Sequence, residues 1–125
     1  MRLLLDTHLL LWWLGNNPSL TDQARELIGN PENTVFVSAV SLWEIWLKQS
    51  LGKLGLPSDF EAKLAGESFE SLPLMAHHTR EVALLPWHHR DPFDRMLIAQ
   101  ARAADLRFLT ADQLAAYGDV VLLVR

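Results

Sequence analysis

Leu3-Leu4-Leu5-Asp6-Thr7-His8-Leu9-Leu10-Leu11 follows Met1-Arg2, an apolar run cut once by an acid. Three successive leucines suit a strand buried on both faces, as in a parallel sheet. Asp6 then stands where such a strand turns into a helix, because Asp accepts hydrogen bonds from the free N–H groups of a first helical turn. The run imitates a secretory leader, but Asp6 and His8 interrupt it and no small-residue cleavage pattern follows Leu9 to Leu14.

Outward from this unit, short apolar runs alternate with longer amphipathic stretches, the pattern of a mostly parallel sheet with helices on both faces. The class is α/β. Strands are expected at Arg2 to Leu5, Thr34 to Ser38, Glu70 to Pro73, Arg107 to Leu109 and Val120 to Val124. Helices are expected at Thr7 to Leu14, Thr21 to Gly29, Ala39 to Leu51, Pro57 to Gly66, His77 to Leu85, Pro92 to Ala104 and Ala111 to Tyr117. Gly15, Gly29, Gly52 and Gly118 fall where helices end, while Pro57 and Pro92 suit first helical turns. Leu9 to Leu14 and Val40 to Leu47 have more than one apolar face, so they are read as core helices, with cover by a partner subunit or peptide as the alternative.

With 125 residues, half of them hydrophobic, the chain suits a single globular domain over residues 1–125. It lacks cysteine, which excludes disulfides, thiolate metal sites and cysteine nucleophiles, and a reducing cytoplasm fits this composition. No apolar run approaches the roughly 18 residues that cross a bilayer, so no membrane association is expected. The formal net charge of −4 is the wrong sign for gripping a polyanion by bulk electrostatics. Nucleic-acid chemistry would need a local remedy, and a divalent cation in an acidic pocket supplies one.

Asp6 and Asp112 both follow expected strands, Asp112 after Phe108-Leu109-Thr110, and ligands bind outside the carboxyl ends of strands in open parallel sheets. Glu44 lies early in the helix after Val35 to Val37, and Asp94 in the first turn opened by Pro92. Each acid alone is also a good cap or first-turn residue. Ser41-Leu42-Trp43-Glu44 matches a capping box, Glu44 can pair with Lys48, and Asp91 reads as the cap before Pro92 while lying close enough to Asp94 to join a site. Together, Asp6, Glu44, Asp94 and Asp112 would crowd one pocket, where carboxylates hold protons at raised pKa or draw in a metal. Oxygen ligands favour Mg²⁺ or Mn²⁺ over zinc.

Leu3-Leu4-Leu5-Asp6-Thr7-His8, Ser38-Ala39-Val40-Ser41-Leu42-Trp43-Glu44-Ile45, Asp91-Pro92-Phe93-Asp94-Arg95-Met96-Leu97-Ile98-Ala99 and Leu109-Thr110-Ala111-Asp112 resemble, in order and spacing, the PIN-domain ribonucleases, specifically the VapC-type toxins of toxin–antitoxin pairs. The resemblance implies a three-layer α/β/α sandwich around about five mostly parallel strands. It also implies Mg²⁺- or Mn²⁺-dependent cleavage of RNA, frequent homodimers, and inhibition by a small cognate antitoxin protein. By matching motif the family's acids fall on Asp6, Glu44, Asp94 and Asp112, with Thr110 as a hydroxyl helper and Asp91 less firmly placed.

The paired histidines, His77-His78 and His88-His89, are expected to be exposed or capping, with an outer role at His8 or His89 as the alternative. Arg90, Arg95 and Lys48 either hold phosphates near the site or pair with neighbouring acids. Trp12, Trp13, Trp43 and Trp46 are expected in the core, and Trp87 exposed. Two rival functions remain. A phosphatase with an aspartyl nucleophile is disfavoured by His8, which stands where a second Asp is needed, and an interaction module would use the acids only as caps.

Overall fold

A computed structural model describes residues 1–125. Its elements run β1 (Arg2–Leu5), α1 (Thr7–Leu14), α2 (Asp22–Gly29), β2 (Thr34–Ser38), α3 (Ala39–Ser50), α4 (Phe60–Ala65), β3 (Glu70–Leu72), α5 (Ala76–Leu84), α6 (Pro92–Ala104), β4 (Arg107–Thr110), a 3₁₀ segment (Ala115–Val120) and β5 (Val121–Leu123). The strands form one sheet in the order β3-β2-β1-β4-β5, and every neighbouring pair is parallel. The expected α/β class is therefore observed.

Strand alternation explains why the sheet is covered on both sides. Leu3 and Leu5 belong to one apolar cluster with Leu9, Leu10, Ala24 and Ile28, whereas Leu4 belongs to the other with Leu97, Ile98 and Phe108. A run without polar residues is what the central strand of such a sandwich requires. Both neighbours of β1 run parallel to it, with Leu4 opposite Phe36 on one side and Phe108 on the other. Sequence order reverses between β1 and β4, which makes their carboxyl ends the switch point of the sheet.

The chain departs from expectation at several ends. No α-helix forms over Ala111 to Tyr117: the chain bends there, and a 3₁₀ segment begins only at Ala115 and is broken by Gly118 at φ 81°. The cause is local competition, since the Thr110 hydroxyl accepts the Asp112 N–H at 3.0 Å and the Asp112 carbonyl accepts from Leu114 at 2.8 Å. Pro57 does not open a helix either. Its carbonyl closes a turn onto the Phe60 N–H, and α4 starts at Phe60.

Arg95 corrects a second expectation, that it holds a phosphate or pairs with a neighbouring acid. It is 3% exposed on α6, and its guanidinium donates to the carbonyls of Pro86 (2.9 Å), Val82 (3.1 Å), Leu85 (3.3 Å) and His89 (3.4 Å) and to the Tyr117 hydroxyl (3.3 Å). The Trp87 ring lies 3.7 Å from the guanidinium carbon and covers it. Helix α6 faces the α5–α6 connection there, and a planar fork satisfies carbonyls that a sequence reading cannot place. Arg95 thus ties that connection and the 3₁₀ segment to α6.

Arg95→Ala should lose about 3–5 kcal/mol of folding stability, because it strands several buried carbonyls at once. Arg95→Lys should recover only part of that, having one donor head for a fork. Urea denaturation checks this, and wild-type stability in Arg95→Lys would contradict the clamp.

Candidate active site

Asp6 caps α1, as its place after β1 suggested: Oδ1 accepts the His8 N–H at 2.7 Å. Its other oxygen accepts the Thr110 hydroxyl at 2.5 Å, from the end of the adjacent β4. Thr110 in turn takes the Asp112 N–H, so one hydroxyl fixes both the first acid and the bend that carries the last. Asp6 is 1% exposed and Thr110 fully buried, so this pair lies at the floor of the site. Ligand atoms of Asp6, Asp112 and His8 all lie within 4.8 Å of one another.

Glu44 reaches the site from α3. The capping-box reading fails, because Ser38 caps α3 and Ser41 lies inside it, where its hydroxyl accepts from Thr7 at 3.0 Å. Glu44 therefore sits in the second turn, 4% exposed, with Oε2 bound to Lys48 as the i, i+4 spacing allows. Its Oε1 is buried with no hydrogen-bond partner. A buried acceptor left unmade is costly, and no group of the fold compensates this one.

Asp94 comes from the first turn of α6. Asp91 caps that helix as read from the sequence, its Oδ1 accepting from Phe93 and Asp94, with Pro92 at the first position. Asp94 Oδ2 lies 2.9 Å from Nε2 of His89. The histidines thus divide: His8 and His89 stand against acids of the site, and one member of the first pair behaves as expected of a cap, with buried His78 accepting the Met75 N–H. Nothing in the local pattern around His89 distinguished it from exposed His88, because its partner is fixed by the turn into α6.

The electrostatics tie the acids together. Burial, then the charge of Asp6, with Asp91 and Asp112 adding to it, pushes Asp94 up to about 6, against the pull of His89. Asp112 is raised by burial and by Asp6. His8 is raised by its bond to Asp6 and by the charges of Asp6, Asp112 and Glu44, and Lys48 by its bond to Glu44 and by Glu44, Asp91 and Asp94. All four predicted acids therefore act on shared neighbours. Of the four acids only Asp6 and Asp112 come together with His8 within 4.8 Å, while Glu44 and Asp94 stand outside that group and act on it through charge. The carboxylate oxygens suit a hard divalent cation, with His8 the one nitrogen among them. A larger hollow of about 620 Å³ near Arg102, Asp105 and Arg107 lies at the start of β4, at the opposite end of the sheet.

The tryptophans correct the expected core. Trp12 and Trp13 are half-buried against it, but Trp43 is 58% exposed and Trp46 also faces outward. Trp87 is exposed as expected, at 75%.

Residues 3–116 match a family model described as PIN domain. No curated protein matches the chain. Among solved structures it is similar to VapBC2 from Rickettsia felis bound to a DNA fragment from their promoter, with TM-score 0.72 and 17% identity over 99% of this chain and 98% of that one. It is also similar to a toxin-antitoxin complex from Klebsiella pneumoniae, with TM-score 0.63 and 16% identity over 95% and 94%. At such identities the similarity shows a shared fold.

A carboxyl group whose pKa is higher folded than unfolded keeps its proton longer in the native state, so stability falls as pH rises through the interval between the two values. For Asp94 that interval runs from about 4 to about 6. In metal-free protein, Asp94→Asn should therefore match wild type near pH 4 and exceed it by the order of 2 kcal/mol at pH 7. Thermal melts across this range check the sign; a metal-free variant less stable than wild type at pH 7 would contradict it.

Proposed function

The chain belongs to the PIN domain family, and on that premise we propose that residues 1–125 form one domain, a metal-dependent endoribonuclease of the VapC type acting in the cytoplasm as the toxin of a toxin–antitoxin pair. The observation that carries the reading is the buried, unpartnered Oε1 of Glu44 in a pocket whose other carboxylates repel one another. A cap-only role for the acids explains Asp6 and Asp91 but leaves that oxygen, and the raised Asp94, without purpose.

Asp6, Glu44, Asp94 and Asp112 would hold Mg²⁺ or Mn²⁺ and form the catalytic set. When bound, such an ion polarises the scissile phosphate and makes water a better nucleophile near neutral pH. The protein's own groups do the positioning. Thr110 and the His8 N–H lock both oxygens of Asp6, while Asp91 holds the start of α6 and His89 orients Asp94. Lys48 keeps an ammonium at the pocket wall beside Glu44, where it offsets phosphate charge. Hydrolysis then needs no nucleophilic side chain.

The partners in this reading are RNA, a small cognate antitoxin protein and a second copy of the chain. The similar structures are VapBC2 from Rickettsia felis and a toxin-antitoxin complex from Klebsiella pneumoniae. Exposed Trp43, Leu74 and Trp87 border an apolar groove of about 410 Å³, surface of the kind that protein partners cover. No helix is long and apolar enough to cross a membrane.

Purified protein free of antitoxin should cleave RNA with Mg²⁺ or Mn²⁺ and stop when chelator is added. Asp6→Asn and Asp94→Asn should each lower kcat at least about 100-fold, since Asn still caps a helix but binds a hard cation poorly. Intact RNA under either ion, or full activity in both variants, would sink the nuclease reading.

A further inference from the structure

Lys48, Lys53 and Lys63 are the only lysines in the chain, and all three line one surface feature. Two hollows of about 280 and 290 Å³ lie side by side, sharing His8, Leu11 and Leu54 as common wall. The first holds Thr7, Glu44, Lys48 and Lys53 and so opens onto the acidic site. The second runs away from it past Trp12, Leu56 and Phe60 to Lys63. Its lining is apolar except at the rim, and the Trp12 ring stands 6.2 Å from that of His8.

In a protein of net charge −4, gathering every lysine along one groove concentrates positive charge there. Lys53 is exposed and makes no ion pair, and Lys63 touches only exposed Asp59 at 3.6 Å, a contact worth little. Both ammonium groups are therefore available. A series of cations flanking an apolar trough with an aromatic wall is the arrangement that holds single-stranded nucleic acid, with phosphates on the cations and a base against the ring. A duplex keeps its bases stacked inside and cannot fill such a trough.

We propose that this groove is the track by which single-stranded RNA enters the acidic site, with Lys53 and Lys63 on successive phosphates and Trp12 against a base. The proposal rests on the nuclease reading for its destination, since the groove ends at Glu44 and His8. An acidic peptide is the rival occupant. Continuity with the acidic pocket favours RNA, because a phosphodiester must come to those carboxylates and the lysines provide its approach.

The test uses a fluorescein-labelled 12-nucleotide single-stranded RNA, its binding followed by anisotropy at several salt concentrations. An Asp94→Asn background keeps the RNA intact. Adding Lys53→Gln and Lys63→Gln should weaken binding roughly tenfold at low salt and make the slope of log K against log salt shallower by about 1.4, two single-strand phosphate contacts. Duplex RNA of the same length should bind weakly and be insensitive to the change. Trp12→Leu should cost about 5- to 100-fold in affinity with the salt slope unchanged. With Asp94 restored, the double lysine variant should show raised KM on long RNA and unchanged kcat.

Single-strand affinity and salt slope that stay at the parental values would overturn the track, even if the protein cleaves RNA. So would loss of binding to an acidic peptide while RNA binding persists, which would give the groove to a protein partner. Lysine-dependent RNA binding without cleavage in otherwise unmodified protein would instead keep the track and overturn the nuclease reading.

Discussion

The parallel register between β1 and β4 is the constraint from which the rest follows. The Asp6 N–H extends that pairing by donating to the Leu109 carbonyl at 3.0 Å, so Asp6 and Thr110 leave the sheet side by side. One hydrogen bond between their side chains then joins residues separated by 104 positions. A slip of one residue would carry Leu4 to the face that Leu3 and Leu5 occupy and draw charged Arg2 or Asp6 into the apolar stretch, which the core on both faces opposes. Hydrophobic packing thereby sets the position of a polar site that contributes nothing to the packing.

The same constraint explains why the acidic pocket is strained electrically and tolerated structurally. Carboxylates carried by the end of β1, by α3, by α6 and by the bend after β4 feel one another's charge and cannot relax apart, because each is tied to a rigid element. Their energy is lowered instead by protons, as Asp94 and Asp112 show, and by borrowed cations, as Lys48 and His8 show. Glu44 Oε1 is left without a hydrogen-bond partner. On the proposed reading such a site is poorer without a cation than with one, as residues held for binding and not for folding should be.

Much of this was legible in the sequence because period and punctuation act locally. Leu3-Leu4-Leu5 marks a doubly buried strand, Pro92 after Asp91 marks a helix start, and β1, β2 and α6 begin and end where those signals stand. The acids were legible as a set because strand ends and first turns in this class converge. What escaped notice depends on partners distant in sequence. Arg95 reads as a free cation beside two acids until five acceptors from the 82–89 stretch and Tyr117 surround it. His89 looks like His88 until Asp94 meets its ring. The helix expected over Ala111 to Tyr117 is lost to the Thr110 hydroxyl at the end of β4, and Trp43 reads as core because hydrophobicity does not say which face of α3 the sheet covers.

Net charge misleads for a related reason. A chain at −4 seems unfit for a polyanion, yet the average conceals a division. Acids converge where the sheet ends, and lysines, absent from the rest of the chain, flank the hollows leading there. Approach and chemistry make opposite demands on charge: a phosphate chain is drawn by cations, but a cation at the reacting centre must itself be caged by anions. On the proposed reading, separating the two along one groove satisfies both, and the net charge of the whole chain carries no information about either.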